Sequence, residues 1–511
     1  MTDTIEALLT LRAGEEPEKV AVVDPDSRVT YRELDSTTTK LAAVLVHMGV
    51  GKGTRVGLIM PNSVQWVQIA LAVTRIGALL VPLSTLLTPN ELAAQLKVAS
   101  VQLLISVEEF RGHRYLDGLP RQQDTALPAL RRVCTPADLM ATSADETTRS
   151  LVSAMGASVT PSDLLLIMFT SGSSGIPKGV MHSHGNALAA VRSSLVPRCI
   201  DSDTRLYLPM PFFWVGGFGA GVLSALLAGA TLVTEPAPQP ATTLKLLERE
   251  RVTLFRGWPD QAEALARQRN SIGADLSSLR PGSLEALLPA EQRSRPGTRA
   301  NLFGMTESFG PYCGYPADTD MPESAWGSCG QPFPGMDVRI VDTETGRPLP
   351  EGQTGVIQIR GPHVLRGICR RTREEVFTAD GYYPTGDLGR LDEQGFLFYH
   401  GRCDDMFKVS GATVYPSEVQ QALRGVTGVQ AAFVTNVPGP QGNRVGAAVV
   451  GTVDPEQLRT AARGVLSSFK VPTVWLVLDD DQAIPRGGTG KVSTTALREM
   501  LLQTTGSKEK I

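Results

Sequence analysis

Apolar and polar positions in the first half of the chain alternate between helix-like and strand-like signals, each closed by a stop or start residue. Thr30-Tyr31-Arg32-Glu33 has the spacing of a capping box and opens a helical stretch through His47. Arg55-Val56-Gly57-Leu58-Ile59-Met60 is a short apolar run halted by Pro61-Asn62, which predicts a buried strand. A helix through Trp66 and Leu71 follows, then a second apolar run ending at Val81-Pro82. Thr88-Pro89-Asn90-Glu91 predicts the next helix, with proline at its first position and Glu91 placed to close another capping box. Such alternation implies parallel sheets covered by helices.

Further along, Thr204 to Pro209 and Ala230 to Thr234 read as strands around a glycine-rich helical region. From Val338 to Arg360 the pattern changes to strands separated by turns, which predicts an antiparallel or barrel-like section. Beyond about residue 404 a small α+β unit is expected. Its helices lie near Ser417–Arg424 and Asp454–Ser467, and its strands near Gln430–Thr435 and Val445–Val453. The polar tail from Thr504 to Lys510 is expected to fray.

Composition narrows the class. The chain has 511 residues, 42% hydrophobic and 20% charged, enough to bury a substantial core without disulfides or metal. Its 50 glycines and 35 prolines are spread without period and point to many working loops. Lys and Arg number 49 against 52 Asp and Glu, with no long single-sign block, so a nucleic-acid footprint is absent. The longest apolar stretch, Val64 to Val81, is broken by Gln65, Gln68, Thr74 and Arg75, which argues against a membrane span. The first residues lack the pattern of a signal peptide. The six cysteines form no Cys-x-x-Cys pair, so they read as reduced thiols of a cytoplasmic protein. His182 and His184 alone do not make a metal site.

The strongest chemical signal is Phe169-Thr170-Ser171-Gly172-Ser173-Ser174-Gly175-Ile176-Pro177-Lys178-Gly179, preceded by the strand-like Leu164 to Met168. Small residues let backbone amides and hydroxyls close around phosphate oxygens, and Lys178 adds positive charge. It is not a Walker A loop: Pro177 stands at the second glycine, and Gly179 replaces the magnesium-holding Ser/Thr. Ser173 and Ser174 do not fit a Gly-x-Ser-x-Gly elbow either.

This loop resembles the phosphate-binding signature of the adenylate-forming enzymes: acyl-CoA synthetases, luciferases and peptide-synthetase adenylation domains. Three more segments occur in the family's order. Asn301-Leu302-Phe303-Gly304-Met305-Thr306-Glu307 resembles its aromatic-Gly-x-Thr-Glu segment. Tyr383-Pro384-Thr385-Gly386-Asp387 and Gly401-Arg402-Cys403-Asp404-Asp405 resemble its Thr-Gly-Asp and Gly-Arg-x-Asp segments. Pro485-Arg486-Gly487-Gly488-Thr489-Gly490-Lys491 resembles its C-terminal lysine loop. Taken singly, each motif is an ordinary cap or turn; four in order over nearly the whole chain are not.

The resemblance implies an α/β fold. A large N-terminal domain over residues 1–403 would comprise two helix-covered sheet subdomains and a distorted β-barrel. A small mobile α+β domain over residues 404–511 would carry the lysine. It also implies an AMP-forming acyl-CoA synthetase using ATP, Mg²⁺ and coenzyme A. Adenylation brings a carboxylate against an α-phosphate that is itself negative, so charge must be neutralised and the groups held in line. By resemblance, Thr170, Ser171, Gly172, Ser173, Ser174, Gly175 and Lys178 cradle the β- and γ-phosphates. Glu307 binds Mg²⁺, Thr306 touches the α-phosphate, and Phe303 with Gly304 lies against adenine. Asp387, an acceptor-only carboxylate, suits the ribose hydroxyls, with Arg402 assisting. Lys491 reaches the reacting carboxylate and α-phosphate oxygens. Asp404 is the hinge about which the small domain swings, bringing Lys408 and Gly411 to a pantetheine tunnel for thioester formation. His184 matches a family segment and reads as structural.

Two departures bear on the acyl group. Pro211-Phe212-Phe213-Trp214-Val215-Gly216-Gly217 places Trp214 where many relatives have histidine, and Phe213, Trp214 and Gly216 are the candidate substrate contacts. Leu279 to Arg299 is short and lacks the Gly-Gly-x-Pro segment that normally walls the pocket. The Phe-Asp-x-Ser pattern of amino-acid-activating relatives is absent. An apolar, bulky, cyclic carboxylic acid is therefore expected. The alternatives are an adenylating enzyme that passes its acyl group to a separate carrier protein or ligating partner, and a binding homologue without catalysis.

Overall fold

A computed structural model describes residues 3–117, 127–170, 177–403, 405–409, 412–439, 442–486 and 492–508. Contacts divide the chain into two compact units, Met1–Asp337 with Ile359–Tyr383, and Val338–Gln358 with Pro384–Ile511.

The first unit holds two large sheets. One has seven strands in the order Gly367–Ile368, Lys178–Ser183, Leu164–Thr170, Leu79–Pro82, Arg55–Ile59, Leu103–Ser106 and Arg132–Cys134. From Leu164–Thr170 onward its strands are parallel, and Lys178–Ser183 returns antiparallel beside Leu164–Thr170. The other has five strands in the order Leu254–Phe255, Arg205–Tyr207, Thr231–Val233, Val20–Val23 and Arg28–Thr30. The helices lie where the capping signals put them. Tyr31–His47 and Pro89–Ala99 both begin at complete capping boxes, Thr30/Glu33 and Thr88/Glu91. Helix Val64–Arg75 is buried almost all round, and Trp66 packs against Phe212 and Phe218 at 5.1 and 5.7 Å. That contact ties the first sheet's helical layer to the segment expected to meet the acyl group.

In the second unit a four-stranded sheet runs Asp337–Val341, Gly355–Arg360, Tyr383–Leu391 and Leu397–Arg402. A three-stranded sheet, Val429–Gly439, Gly442–Gly451 and Val474–Leu478, is covered on one face by helices Pro416–Arg424 and Pro455–Val465. Leu497 and Leu501 of helix Thr494–Lys508 pack on its other face. The expected fraying is corrected as far as Lys508: the helix runs on from the turns that Leu497 and Leu501 anchor to the sheet, while Glu509 and Lys510 lie outside the described residues. All six cysteines are free thiols, and among the described residues no helix is long and apolar enough to cross a membrane.

Candidate active site

Thr170 ends one strand and Lys178 begins the next, and the two are cross-strand partners at the end of the hairpin where one strand leads to the other. Ser171, Gly172, Ser173, Ser174 and Gly175 lie outside the described residues. Lys178 forms an ion pair with Glu307, 129 residues away. Its Nζ also donates to the Tyr383 hydroxyl at 2.7 Å, and that hydroxyl donates to Glu307 Oε1 at 3.1 Å. Glu307 is only 5% exposed, so its charge needs this partner. Both bonds fall on Oε1; Oε2 takes none among the described residues.

The Thr306-Glu307 turn is held from behind. His182, fully buried, donates from Nε2 to the Thr306 carbonyl at 2.8 Å, and its Nδ1 accepts from the Asn186 amide at 2.8 Å. Those two partners require the neutral Nε2–H tautomer. Burial pushes its pKa down to about 4, in agreement. The Phe309 ring edges onto the same imidazole at 4.9 Å. The Leu365 amide donates to the Glu307 carbonyl at 2.8 Å. Upstream, Phe303 is half-buried and its ring meets Tyr312 edge-on at 5.6 Å. Gly304 admits no side chain, since a Cβ there would lie 2.1 Å from the Gly310 carbonyl oxygen. Its requirement for glycine is thus a matter of strand pairing. His184 is structural: it is buried, its Nδ1 accepts the Ile5 amide at 3.3 Å, and burial holds its pKa near 4.

In the second unit Asp387 and Arg402 are register partners on adjacent antiparallel strands. Arg402 Nη1 donates to Asp387 Oδ1 at 3.0 Å and to the Thr385 carbonyl at 2.9 Å. Gly386 has φ +74°, and a Cβ there would press on the Arg402 guanidinium at 2.9 Å, so the turn needs glycine. Asp404, Gly411 and Lys491 lie outside the described residues, and Lys408 is described only as part of strand Phe407–Val409.

The apolar segment is partly core and partly wall. Phe212 and Phe213 are buried, while Trp214 is half-buried between Phe213 at 5.5 Å and Trp258 at 5.9 Å, both edge-on. Asn62 pins it, donating to the Met210 carbonyl and accepting from the Phe212 amide, each at 2.9 Å. Close packing explains the glycines: a Cβ on Gly217 would lie 2.0 Å from the Pro211 carbonyl oxygen, and one on Gly216 would meet Met210 Sδ at 2.7 Å. After Gly217 the chain forms a π-helical turn, Phe218–Leu223. Gly219 there packs under the Phe309 ring, 3.0 Å from where its Cβ would be. Through Phe309 and His182 the apolar segment is thus in contact with the Thr306-Glu307 turn.

The profile of the family described as AMP-binding enzyme matches residues 9–369. The chain belongs to the AMP-binding enzyme family. A 3-[(3aS,4S,7aS)-7a-methyl-1,5-dioxo-octahydro-1H-inden-4-yl]propanoyl:CoA ligase of Mycobacterium tuberculosis is 34% identical over 97% of this chain and 99% of its own. A feruloyl-CoA synthase of an Amycolatopsis species is 32% identical over 94% and 96%. The ATP-bound structure of MatB from Rhodopseudomonas palustris matches at a TM-score of 0.79 and 26% identity, over 98% of this chain and 99% of that one. This AMP-binding enzyme is an AMP-forming acid–thiol ligase of the acyl-CoA ligase kind, using ATP, Mg²⁺ and CoA.

The residues fit the metal. Among the described residues no group of three or more His, Cys, Asp or Glu side chains could hold a metal ion alone. Magnesium commonly takes one or two carboxylates and completes its octahedron with phosphate oxygens and water. A buried Glu307 with Oε2 unengaged meets that need. Four positions that matter here were not singled out from sequence: Tyr383, His182 with Asn186, and Asn62. Tyr383 opens the Thr-Gly-Asp motif and His182 precedes the His184 segment, but neither carries a spacing signal of its own. Asn62 read only as a strand stop.

Proposed function

We propose that this ligase activates an apolar, cyclic carboxylic acid as its acyl-adenylate and transfers it to CoA. The observation that carries the reading is the aromatic wall of Phe213, Trp214 and Trp258, joined through Gly219, Phe309 and His182 to the Thr306-Glu307 turn. Two of the relatives support it, being named for acids built on a fused-ring dione and on an aromatic ring. A substrate carboxylate oxygen attacks the α-phosphorus of ATP and pyrophosphate leaves. The CoA sulfur then attacks the acyl carbonyl carbon, and AMP leaves with the bonding electrons.

In this scheme Lys178 exchanges the Glu307 carboxylate for phosphate oxygens, neutralising charge where pyrophosphate departs. Glu307 is left as the carboxylate that would hold magnesium, which would supply charge neutralisation at the phosphates. Tyr383 keeps both side chains in register, and neutral His182 holds the Thr306 backbone so that its hydroxyl meets the α-phosphate. Thr170 and residues 171–175 cradle the leaving phosphates, and Phe303 with Gly304 faces the adenine. Asp387 offers acceptors to the ribose hydroxyls, with Arg402 fixing its orientation. Lys491 is the adenylating lysine, Asp404 the hinge, and Lys408 and Gly411 the thioester-stage contacts. A separate carrier protein draws no support from the CoA ligases and synthases found.

The deciding experiment is a panel of carboxylic acids assayed for pyrophosphate release without CoA, with thioester detection by mass spectrometry when CoA is added. Both products are expected with ring-bearing acids. Pyrophosphate without thioester would overturn the CoA step. Neither product, across the panel, would make this a binding homologue.

A further inference from the structure

Several buried charges in this protein are matched by opposite ones. Arg75, 3% exposed, bonds Glu6 at 2.7 Å and Asp35 at 3.1 Å, and Glu250 takes Arg28, Arg205 and Arg249. The buried Arg198 and the half-buried Arg256 have no such partner among the described residues. Arg198, 4% exposed, donates to the Ser224 hydroxyl at 2.8 Å and the Ala220 carbonyl at 2.6 Å. Arg256 donates from Nη1 to the Gly282 carbonyl at 2.6 Å. Every acceptor is neutral, and no carboxylate among the described residues bridges to either guanidinium.

The consequence is visible in their protonation. Burial, and secondarily the charge of Arg256, push Arg198 down to about 9, and burial lowers Arg256 as well. Two cations sharing a low-dielectric region without a counter-charge are costly, and well-packed apolar side chains in their place are often neutral or stabilising. Packing therefore does not account for them; a ligand that brings the missing acceptor does.

Their position says which ligand. Arg256 leaves the C-terminal end of strand Leu254–Phe255, the end at which parallel sheets receive ligands. Two residues on, Trp258 meets Trp214 edge-on at 5.9 Å. Gln261, in the first turn of helix Pro259–Ile272, has a buried Oε1 with no hydrogen-bond partner among the described residues. Both acceptors of Arg198, Ala220 and Ser224, lie at or just after the π-helical turn that succeeds Trp214. Arg256 keeps some accessible surface and is not sealed in the core.

We propose that Arg256, backed by the charge of Arg198, binds an acceptor oxygen at the end of the acyl group remote from the reacting carboxylate, a ring ketone or a second carboxylate. This rests on the chain being an acid-activating ligase and narrows that reading: the substrate is apolar at its middle and oxygenated at its far end. A buried donor also selects, since an analogue without the oxygen leaves the guanidinium unpaired.

The test compares matched ring acids bearing, at the remote position, a ketone, a carboxylate or only methylene, in wild type, Arg256→Met and Arg256→Lys. Wild type should prefer an oxygenated acid by about 10- to 100-fold in kcat/KM for pyrophosphate release, the scale of a hydrogen bond to a charged group. The ketone and carboxylate arms then identify the oxygen. Arg256→Met should abolish that preference while leaving the methylene acid as good or better, and Arg256→Lys should restore part of it. Thermal denaturation should find Arg256→Met at least as stable as wild type, because a half-buried cation without a counter-charge has gone. Equal turnover of all three acids by wild type, or equal loss on all three with a lowered Tm in Arg256→Met, would overturn the proposal and leave the ligase reading standing. No pyrophosphate from any acid with wild type would overturn both.

Discussion

Three buried histidines, His182, His184 and His363, are held neutral by burial, each with its pKa lowered to about 4. An unfolded chain protonates the same rings near 6.5. Between those values the unfolded state binds more protons, so the stability they contribute is complete above about pH 6.5 and is lost as pH falls toward 4. By linkage each ring forfeits roughly 2 kcal/mol at pH 5. Thermal denaturation should therefore show Tm falling clearly from pH 7.5 to pH 5; a flat profile would contradict neutral burial. Glu307→Gln tests the neighbouring turn. It keeps the shape and removes the charge that faces Lys178, so adenylation should fall about 10- to 100-fold. The Mg²⁺ concentration for half-maximal rate should rise, as a metal titration of pyrophosphate release would read. An unchanged Mg²⁺ dependence would remove Glu307 from the metal's coordination.

At the scale of elements, Asn62 joins the end of strand Arg55–Ile59 to the segment bearing Phe213 and Trp214 through two backbone bonds of 2.9 Å. Asn62→Ala leaves a buried carbonyl and amide unsatisfied, at about 1–3 kcal/mol each. KM for the acid should rise with KM for ATP little changed; an equal rise in both would deny the link to the acyl side. This element also shows what was legible. Starts and stops of helices and strands obey local rules, and the capping boxes at Thr30 and Thr88 form as their spacing predicts. Lys178 and Glu307 were legible because each sits in a motif. Their third partner, Tyr383, was not: it is brought in from 205 residues beyond Lys178 by the fold, and no local pattern encodes such an approach. Arg256 escaped for the opposite reason, since an arginine in a sequence looks exposed until the fold buries it.

For the whole molecule, the packing units and the expected boundary at Asp404 describe different things. The strands carrying Asp387 and Arg402 pack with the C-terminal residues as one unit, whereas the proposed hinge concerns motion between catalytic stages. The two half-reactions separate them. Lys491→Ala should lower adenylation by orders of magnitude while preformed acyl-adenylate still reacts with CoA, read by single-turnover thioester formation. Equal loss in both would contradict a lysine that serves one stage. The π-helical turn at Phe218–Leu223 bears on the length of the chain itself. Such a turn is an α-helix carrying one residue too many. Deleting a single residue there would let it rewind as plain α-helix, and the downstream helical residues would keep nearly the same facing, because the wide turn absorbs the extra residue locally. Ser224 would then stay beside Arg198, so a one-residue gap should be better tolerated here than in the neighbouring plain helices, and the wide turn is where this stretch of chain can change its length without turning the side chains that follow.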